Sequence, residues 1–215
     1  MNKFKAALFD LDGTLMDTEG QYTIFWGNTA RKYRPDIPDL EYKIKGMTLV
    51  QIYATYFPDK KVQEEITRGL DEWEANMNYE FLPGALDFIR DIKAHGVRCA
   101  IVTSSNTPKM NCVARKVPDF NTLFDRILTA EDFSASKPAP DCYLLGASVF
   151  GCDLDECVVF EDAYNGLMAG MSSGIYTIGV TTTFSREEIQ DKCHYAIDDF
   201  EGLDYNKVEM LLANK

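Results

Sequence analysis

The chain has 215 residues, of which 46% are hydrophobic and 26% are charged, and its formal net charge at pH 7 is −12. A chain of this length can build one large core, or a core and a smaller second domain. The acidic charge argues against nucleic acid as a partner, because a phosphate backbone needs a basic protein surface. No apolar run reaches the roughly 18 residues that a membrane span requires, so no membrane partner is expected.

The apolar stretch near the N-terminus is short and is soon interrupted by acidic residues, unlike a secretory signal, so a cytoplasmic location is expected. The six cysteines form no Cys-x-x-Cys pair and show no zinc-ligand spacing, and the chain contains only two histidines. Free, buried thiols in a reducing compartment are therefore the expected state of the cysteines.

Five short apolar runs are the predicted strands, and they span residues 5–9, 98–102, 126–128, 157–160 and 175–180. Helical patterns lie between most of them. Residues 83–96, for example, begin with Pro, end with Gly and place their apolar side chains on one face. Strands that alternate with helices in this way indicate an α/β fold with a parallel sheet that is covered on both faces.

Residues 18–81 break this alternation, because they contain no convincing strand but several helical stripes of apolar residues. One stripe comprises Tyr22, Phe25, Trp26, Ala30 and Tyr33, and another comprises Val62, Ile66, Leu70, Trp73 and Met77. We therefore predict an all-α domain at residues 18–81, inserted into an α/β domain that residues 1–17 and 82–215 form. The aromatic side chains of the stripes are expected to lie in the core of the insertion.

Polar side chains occur just beyond most of the predicted strands. In chain order these are Asp10 and Asp12, then Thr103, Ser104, Ser105 and Asn106, then Lys137, and finally Glu161 and Asp162. The carboxyl ends of parallel strands open onto one edge of the sheet, where ligands bind. We therefore expect these four segments to converge on one cleft.

The residue types in this cleft predict a phosphoryl-transfer centre. Four carboxylates repel one another unless a cation lies among them, and oxygen ligands with retained water suit Mg²⁺. Residues 103–106 lead into a helix with Pro108 near its start and Thr107 as the expected cap, and a helix start can bind an anion. Lys137 adds a fixed positive charge.

Four motifs carry a family resemblance: DLDGTLMD at residues 10–17, VTSSN at 102–106, SKPAPD at 136–141 and VVFEDAYNG at 158–166. In their order and spacing they resemble the haloacid dehalogenase (HAD) superfamily, in the branch with a helical cap inserted after the first strand. Within that branch the chain is similar to β-phosphoglucomutase and its phosphatase relatives. The resemblance covers nearly the whole chain and implies a Rossmann-like α/β core domain with an inserted all-α cap domain.

The resemblance implies catalytic roles for matching residues. Asp10 resembles the nucleophile that captures the phosphoryl group as an aspartyl-phosphate, and Asp12 resembles the general acid and base. Thr103 and the backbone amide of Ser104 would bind the transferring phosphoryl oxygens. Lys137 would neutralise charge between the nucleophile and the phosphate.

The resemblance also implies Mg²⁺ as the cofactor. Asp10, the backbone carbonyl of Asp12, and Asp162 would hold the ion, with Glu161 contributing directly or through water.

Three functions stay open at this point. The first choice is hydrolysis of a small phosphorylated metabolite such as a sugar phosphate, and the second is a β-phosphoglucomutase-like mutase. Mutases of the family use a histidine on the first cap helix and an arginine in a cap loop, but here Tyr22 and Leu49 stand at those places. The third function is binding without catalysis. It is disfavoured, because a binding protein does not need a nucleophile beside an acid.

Substrate selection is expected to involve Lys45, Met47 and Tyr22 in the cap, and Lys45 is the predicted substrate-binding residue among them. The cap is expected to open and close about hinges at residues 16–18 and 79–82. A monomer is the expected state of the protein.

Overall fold

A computed structural model describes residues 4–214, and its centre is a six-stranded parallel sheet. The strands are β1 (Ala6–Phe9), β2 (Arg98–Val102), β3 (Arg126–Leu128), β4 (Cys157–Glu161), β5 (Tyr176–Val180) and β6 (Tyr195–Ile197). Their order across the sheet is β3-β2-β1-β4-β5-β6, and every neighbouring pair is parallel. β1, which carries the DLDGT motif at its end, therefore lies in the middle of the sheet.

The central strand is buried on both faces, which explains its uninterrupted apolar sequence. Ala6 and Leu8 belong to the core on one face of the sheet, and Ala7 and Phe9 belong to the core on the other. This division follows from the two-residue period of a strand. Phe9 stacks on Phe160 of β4 with ring centroids 4.8 Å apart, so the two strands that lead into the acidic residues pack closely together.

Helices cover both faces of the sheet and fill the interval between β1 and β2. They are α1 (Glu19–Tyr33), α2 (Leu40–Lys43), α3 (Leu49–Tyr56), α4 (Lys60–Asn76), α5 (Ala85–Ala94), α6 (Thr107–Lys116), α7 (Phe120–Leu123), α8 (Asp141–Ser148), α9 (Tyr164–Ser173), α10 (Arg186–Ile189) and α11 (Tyr205–Ala213), with a 3₁₀ turn at Leu154–Glu156. The predicted fold class, a Rossmann-like parallel sheet with an inserted all-α cap, is confirmed.

The helical insertion has a hydrophobic core of its own, distinct from the hydrophobic clusters that pack on the sheet. Both predicted stripes contribute to it, through residues such as Phe25 and Trp26 of α1 and Ile66 and Leu70 of α4. Met77 is an exception: it packs in a core of the sheet, because α4 ends at Asn76 and the chain there turns back towards the sheet. The exact domain boundaries, 17/18 and 81/82, stay predictions.

The two segments that lead into and out of the insertion are hydrogen-bonded to each other. The amide of Asp17 donates to the carbonyl of Glu80 at 2.9 Å, and the amide of Leu82 donates to the carbonyl of Leu15 at 2.8 Å. The predicted hinges at residues 16–18 and 79–82 therefore lie side by side, which would let them bend together.

The predicted strand bounds differ from the observed ones by at most one residue. β2 and β3 match, β1 and β5 each begin one residue later than predicted, and β4 extends one residue further to Glu161. The sixth strand was not predicted, because Tyr195–Ile197 is only three residues long and lies among polar residues.

Within residues 4–214, no helix combines the length and the apolar character needed to cross a membrane.

All six cysteines are free, as expected, but only four are buried, because Cys112 and Cys152 are partly exposed.

Candidate active site

Two of the predicted acids and the predicted lysine meet where β1 and β4 end. The Nζ of Lys137, in the loop before α8, lies 2.6 Å from Asp10 Oδ1 and 2.7 Å from Glu161 Oε1. Asp10 follows the last residue of β1, and Glu161 is the last residue of β4. The sheet therefore brings together three charged residues that are far apart in the sequence.

Lys137 is almost completely buried, and its charge is held by its two carboxylate partners. Its exposure is 1%, and its Nζ also lies 5.0 Å from the centroid of the Tyr143 ring. Burial alone would lower the pKa of this ammonium, but the charges of Asp10 and Glu161 outweigh burial and hold the pKa well above its ordinary value. Lys137 is thus a permanent cation within the site.

Asp10 is a buried acid in the wall of the cavity. Burial raises its pKa from 3.8 to about 7, and the charges of Glu161 and Asp12 act in the same direction, while Lys137 opposes them. Because one lysine serves two carboxylates, the centre still carries an excess of negative charge. A divalent cation would relieve this excess.

Asp162 is a second buried carboxylate, and it receives hydrogen bonds from hydroxyl groups. Thr14 donates to its Oδ1 at 2.7 Å and Thr183 donates to its Oδ2 at 2.5 Å. Burial and the charge of Glu161 raise its pKa well above the ordinary value. Gly13, with φ of 78°, lies so close that a Cβ there would collide with this carboxylate. Glycine is therefore required at position 13 for the site to close around Asp162.

Glu161 is held by four hydrogen bonds. Its Oε1 accepts from Lys137 and from the hydroxyl of Tyr143, and its Oε2 accepts from the amides of Asp162 and Ala163 at 2.8 Å. The backbone of Gly166 presses against the same carboxylate, because a Cβ at position 166 would overlap it. Glu161 thus fixes Lys137 and the start of α9 in one arrangement.

The Asp12 carboxylate lies at the border between the sheet and the helical insertion. Its Oδ1 accepts a hydrogen bond from Thr18 at 2.7 Å. Its Oδ2 accepts from Ser105 at 3.0 Å and forms an ion pair with Lys109, whose side chain is only 3% exposed. Lys109 was not among the predicted site residues.

The loop after β2, residues 103–106, forms another part of the cavity wall. Thr103 is buried, and its hydroxyl accepts a hydrogen bond from the amide of Ser105 at 3.0 Å. The predicted cap of α6 was wrong by one residue. Asn106 is the cap, because its extended backbone lets its side-chain oxygen accept from the amide of Lys109 at 3.0 Å, whereas Thr107 is already helical.

The insertion contacts this loop through the turn around Gly46. The hydroxyl of Ser104 donates to the carbonyl of Gly46 at 3.4 Å, and the side chain of Gln51 donates to the carbonyl of Lys137 at 3.1 Å. Lys45, the predicted substrate-binding residue, lines the cavity but forms an ion pair with Glu19.

The cavity between the sheet edge and the insertion has a volume of about 340 Å³. Asp10, Asp12, Thr103, Ser104 and Glu161 line its sheet side, and the predicted selection residues Lys45, Met47 and Tyr22 line its insertion side. A volume of this size accommodates a small metabolite.

Several residues of the site were missed by sequence reasoning. Thr183 follows β5 and lies at the same sheet edge as the predicted acids, so the rule that located the acids could also have found it. No comparable signal marks Lys109, because a lysine in the first turn of a helix is most often a solvated surface residue. Glu74, a buried residue of α4 in the cavity wall, was likewise missed.

The carboxylates of this site suit Mg²⁺ better than they suit a metal whose ligands are all protein side chains. Within residues 4–214, no three His, Cys, Asp or Glu side chains are grouped as a metal site. Mg²⁺ is commonly bound by one or two carboxylates, with water and substrate phosphate completing its coordination. Asp10 and Asp162 are two such carboxylates, and no lysine or arginine within residues 4–214 forms an ion pair with Asp162.

The chain is similar to proteins of one known family. Residues 7–180 match the family model of the haloacid dehalogenase-like hydrolases. The chain is 32% identical over 191 residues to hexitol phosphatase A of Escherichia coli, covering 82% of each protein. It is 31% identical over 230 residues to a probable pseudouridine-5'-phosphatase of Saccharomyces cerevisiae, covering 96% of this chain and 92% of the relative.

Another relative is much longer than this chain. The match to the chloroplastic protein SUPPRESSOR OF QUENCHING 1 of Arabidopsis thaliana is 29% identical and covers 96% of this chain but only 21% of the relative. Among solved structures, a family IA HAD hydrolase of Entamoeba histolytica superposes with a TM-score of 0.84 at 25% identity, covering 98% of this chain and all of the other.

The family model covers most of the chain, from within β1 to the end of β5. The two named phosphatases confirm the predicted enzyme class, a phosphohydrolase. The chain belongs to the haloacid dehalogenase-like hydrolase family.

Proposed function

We propose that this protein is a Mg²⁺-dependent phosphatase that hydrolyses a small phosphorylated metabolite, such as a sugar phosphate, through an aspartyl-phosphate intermediate. The observation that carries the proposal is the contact of one buried lysine, Lys137, with both Asp10 and Glu161 at the wall of a cavity of metabolite size. Such an arrangement holds a carboxylate in place while neutralising part of the charge that an approaching phosphate brings.

Asp10 is the proposed nucleophile. Its carboxylate oxygen attacks phosphorus, the bond from phosphorus to the ester oxygen breaks, and the phosphoryl group is held as an acyl phosphate until water releases it. An ionised carboxylate needs no base for this attack. Lys137 keeps one Asp10 oxygen fixed at 2.6 Å, which leaves the other oxygen for attack.

Asp12 is the proposed general acid and base. Its carboxyl would donate a proton to the leaving ester oxygen and later accept one from the attacking water. Thr18, Ser105 and Lys109 hold this carboxylate in position, so proton transfer requires the carboxylate to exchange one of these partners for the substrate.

Asp10, Asp162 and the carbonyl of Asp12 are the residues that would hold Mg²⁺, with Glu161 acting directly or through water. When bound, the ion supplies positive charge that stabilises the transferring phosphoryl group. Thr14 and Thr183 orient the Asp162 carboxylate, and Thr103 and the amide of Ser104 are the proposed donors to the phosphoryl oxygens.

A mutase is the second candidate, because the resemblance to the family's mutases includes the cap pair Lys45-Gly46. Tyr22 occupies the place of the mutase histidine, and its hydroxyl donates to Glu74 at 2.9 Å, so it is engaged within the insertion. Incubation with β-glucose 1-phosphate separates the two functions: a mutase forms glucose 6-phosphate without net release of phosphate.

The setting of the activity is part of the same proposal. We propose a small phosphorylated metabolite as the only partner, with no nucleic acid and no membrane, in a monomeric protein in the cytoplasm. The acidic charge of −12 is consistent with the absence of a nucleic-acid partner.

The experiment that tests the proposal measures Mg²⁺-dependent release of phosphate from a generic aryl phosphate. We expect Asp10→Asn to reduce kcat by at least about 10³-fold, because the nucleophile is lost. Beryllium fluoride, a mimic of the acyl phosphate, should inhibit the wild-type enzyme. An Asp10→Asn variant with unchanged kcat would contradict the proposal, and so would full activity after the removal of divalent ions.

A further inference from the structure

Glu74 of α4 is a buried carboxylate that lines the cavity and has no role in the proposed chemistry. It is 6% exposed, and its Oε1 accepts a hydrogen bond from the hydroxyl of Tyr22 at 2.9 Å. Its Oε2 receives no hydrogen bond from any residue between 4 and 214. Burial raises the pKa of Glu74, while the charge of Lys109 and the Tyr22 hydrogen bond oppose that rise. The free oxygen is thus an acceptor in the wall of the cavity.

The charged side chains around this acceptor are negative in sum. The two lysines that line the cavity are both neutralised, Lys45 by Glu19 and Lys109 by Asp12. Glu41 and Glu131 also line the cavity. Among the described residues that line the cavity, no lysine or arginine is therefore left over to bind a second anion.

Part of the remaining surface on the insertion side is apolar and aromatic. Trp26, Ile52 and Leu70 belong to it. A leaving group of sugar size combines apolar ring faces with hydroxyl donors, so it matches both this surface and the acceptor oxygen of Glu74. A leaving group with its own phosphate would bring a second negative charge towards Glu74 in a partly desolvated site, where like charges are costly.

We propose that Glu74 determines substrate specificity: it accepts hydrogen bonds from the hydroxyls of an uncharged polyol or sugar leaving group and excludes leaving groups that carry a second phosphate. This inference deepens the proposed function and rests on it. It assigns the substrate to the phosphate monoesters of neutral polyhydroxylated molecules.

The test compares matched monophosphates and bisphosphates as competitive inhibitors of aryl phosphate hydrolysis. The pairs are glucose 6-phosphate with glucose 1,6-bisphosphate, and fructose 6-phosphate with fructose 1,6-bisphosphate. Inhibition constants are measured in the presence of Mg²⁺, so binding is detected whether or not the compound is turned over. We expect each bisphosphate to bind the wild-type enzyme at least about tenfold more weakly than its monophosphate.

Glu74→Gln removes the charge and keeps the size of the side chain. We expect this variant to lose most of the discrimination between the members of each pair, because the bisphosphates bind more tightly while hydrolysis of the aryl phosphate continues. Glu72→Gln is the matched control, since Glu72 lies on the same helix, is exposed and does not line the cavity. It should retain the wild-type ratio.

A second variant, Tyr22→Phe, separates the orientation of Glu74 from its charge. Without the hydroxyl, the carboxylate is less well oriented, so the monophosphates should bind several-fold more weakly while the bisphosphates are still rejected. The inference is overturned if the wild-type enzyme binds the bisphosphates as tightly as the monophosphates, if it binds neither member of a pair, or if Glu74→Gln leaves the ratio unchanged. Loss of aryl phosphate hydrolysis in the wild-type enzyme would instead contradict the proposed function.

Discussion

At the scale of single residues, the buried acids of the site outnumber the lysines that contact them. Lys137 contacts both Asp10 and Glu161, and Asp162 depends on hydroxyl donors. A buried ion pair adds little net stability, but removal of one partner leaves the other charge without compensation. Lys137 is therefore important to the metal-free fold as well as to the proposed chemistry.

Lys137→Met should lower the free energy of unfolding of the metal-free protein by about 3 to 5 kcal/mol, because it leaves two buried carboxylates without their cation. Urea denaturation followed by circular dichroism measures this change. In Lys137→Met/Glu161→Gln one of the two charges is also removed, so part of the lost stability should return. Equal stability of the wild type and the single variant would show that the lysine does not hold these carboxylates in solution.

At the scale of elements, the start of α9 is fitted to the end of β4. The α9 residue Gly166 leaves room for the Glu161 carboxylate, which accepts hydrogen bonds from the amides just before the helix. A side chain larger than hydrogen at this position must move either the helix or Glu161. The close packing of the two elements thus fixes the orientation of a site residue.

Gly166→Ala should reduce activity by at least about tenfold and lower stability by about 1 to 3 kcal/mol, because the new methyl group overlaps Glu161. The measurements are kcat with an aryl phosphate and urea denaturation. Gly20→Ala in α1 is the control, since a Cβ there meets nothing within 4 Å and alanine favours helix. If Gly166→Ala behaved like Gly20→Ala, the proposed fit between α9 and Glu161 would be wrong.

The insertion as a unit is expected to move relative to the sheet during turnover. Gly46 and Asn165 face each other across the interface, because a Cβ at position 46 would lie 3.3 Å from the Cβ of Asn165. A disulfide in Gly46→Cys/Asn165→Cys should hold the insertion closed and abolish turnover, and reduction with dithiothreitol should restore it. The oxidised wild type controls for the native cysteines. Full activity of the cross-linked protein would rule out the gating motion.

Sequence patterns predicted most of the strands but missed β6 and the cap of α6. Apolar runs located β1 to β5 within one residue, because strands buried on both faces admit few polar side chains. β6 was not predicted, because a strand of three residues is too short to show a recognisable apolar run. The cap of α6 was misassigned because Asn106 and Thr107 are both good capping residues, and only the backbone conformation distinguishes them.

At the scale of the whole molecule, the raised pKa values of the site acids couple stability to pH. Asp10 has an ordinary pKa of 3.8 in the unfolded chain and about 7 in the metal-free fold. Between these values the folded state retains a proton that the unfolded state has lost, so the free energy of unfolding falls as pH rises. The raised pKa of Asp162 acts in the same direction.

The metal-free wild type should therefore become less stable as pH rises from about 4.5 to about 7, and Asp10→Asn should show a weaker dependence because its side chain does not titrate. Mg²⁺ should stabilise the wild type more at the higher pH, since the ion binds the ionised carboxylates. Thermal unfolding with and without Mg²⁺ measures both effects. The same pH dependence in the wild type and in Asp10→Asn would exclude a raised pKa for this group.

The sequence predicted which segments meet at the sheet edge, because topology alone brings the ends of parallel strands together. It could not predict which side chains of the insertion face them. Lys109 and Glu74 lie on helices whose polar residues are mostly exposed, and only the packing of α4 against α6 turns these two inwards. Local patterns do not record contacts of this kind.

The most direct test of the account is chemical trapping of the phosphoryl group. Acid quenching during turnover of an aryl phosphate with Mg²⁺, followed by mass spectrometry, should find one added phosphoryl group on the peptide that contains Asp10. The modification should be absent when Asp10→Asn is treated in the same way. Steady turnover with no modified Asp10, or with a phosphoryl group on another residue, would contradict the central claim that this aspartate is the nucleophile.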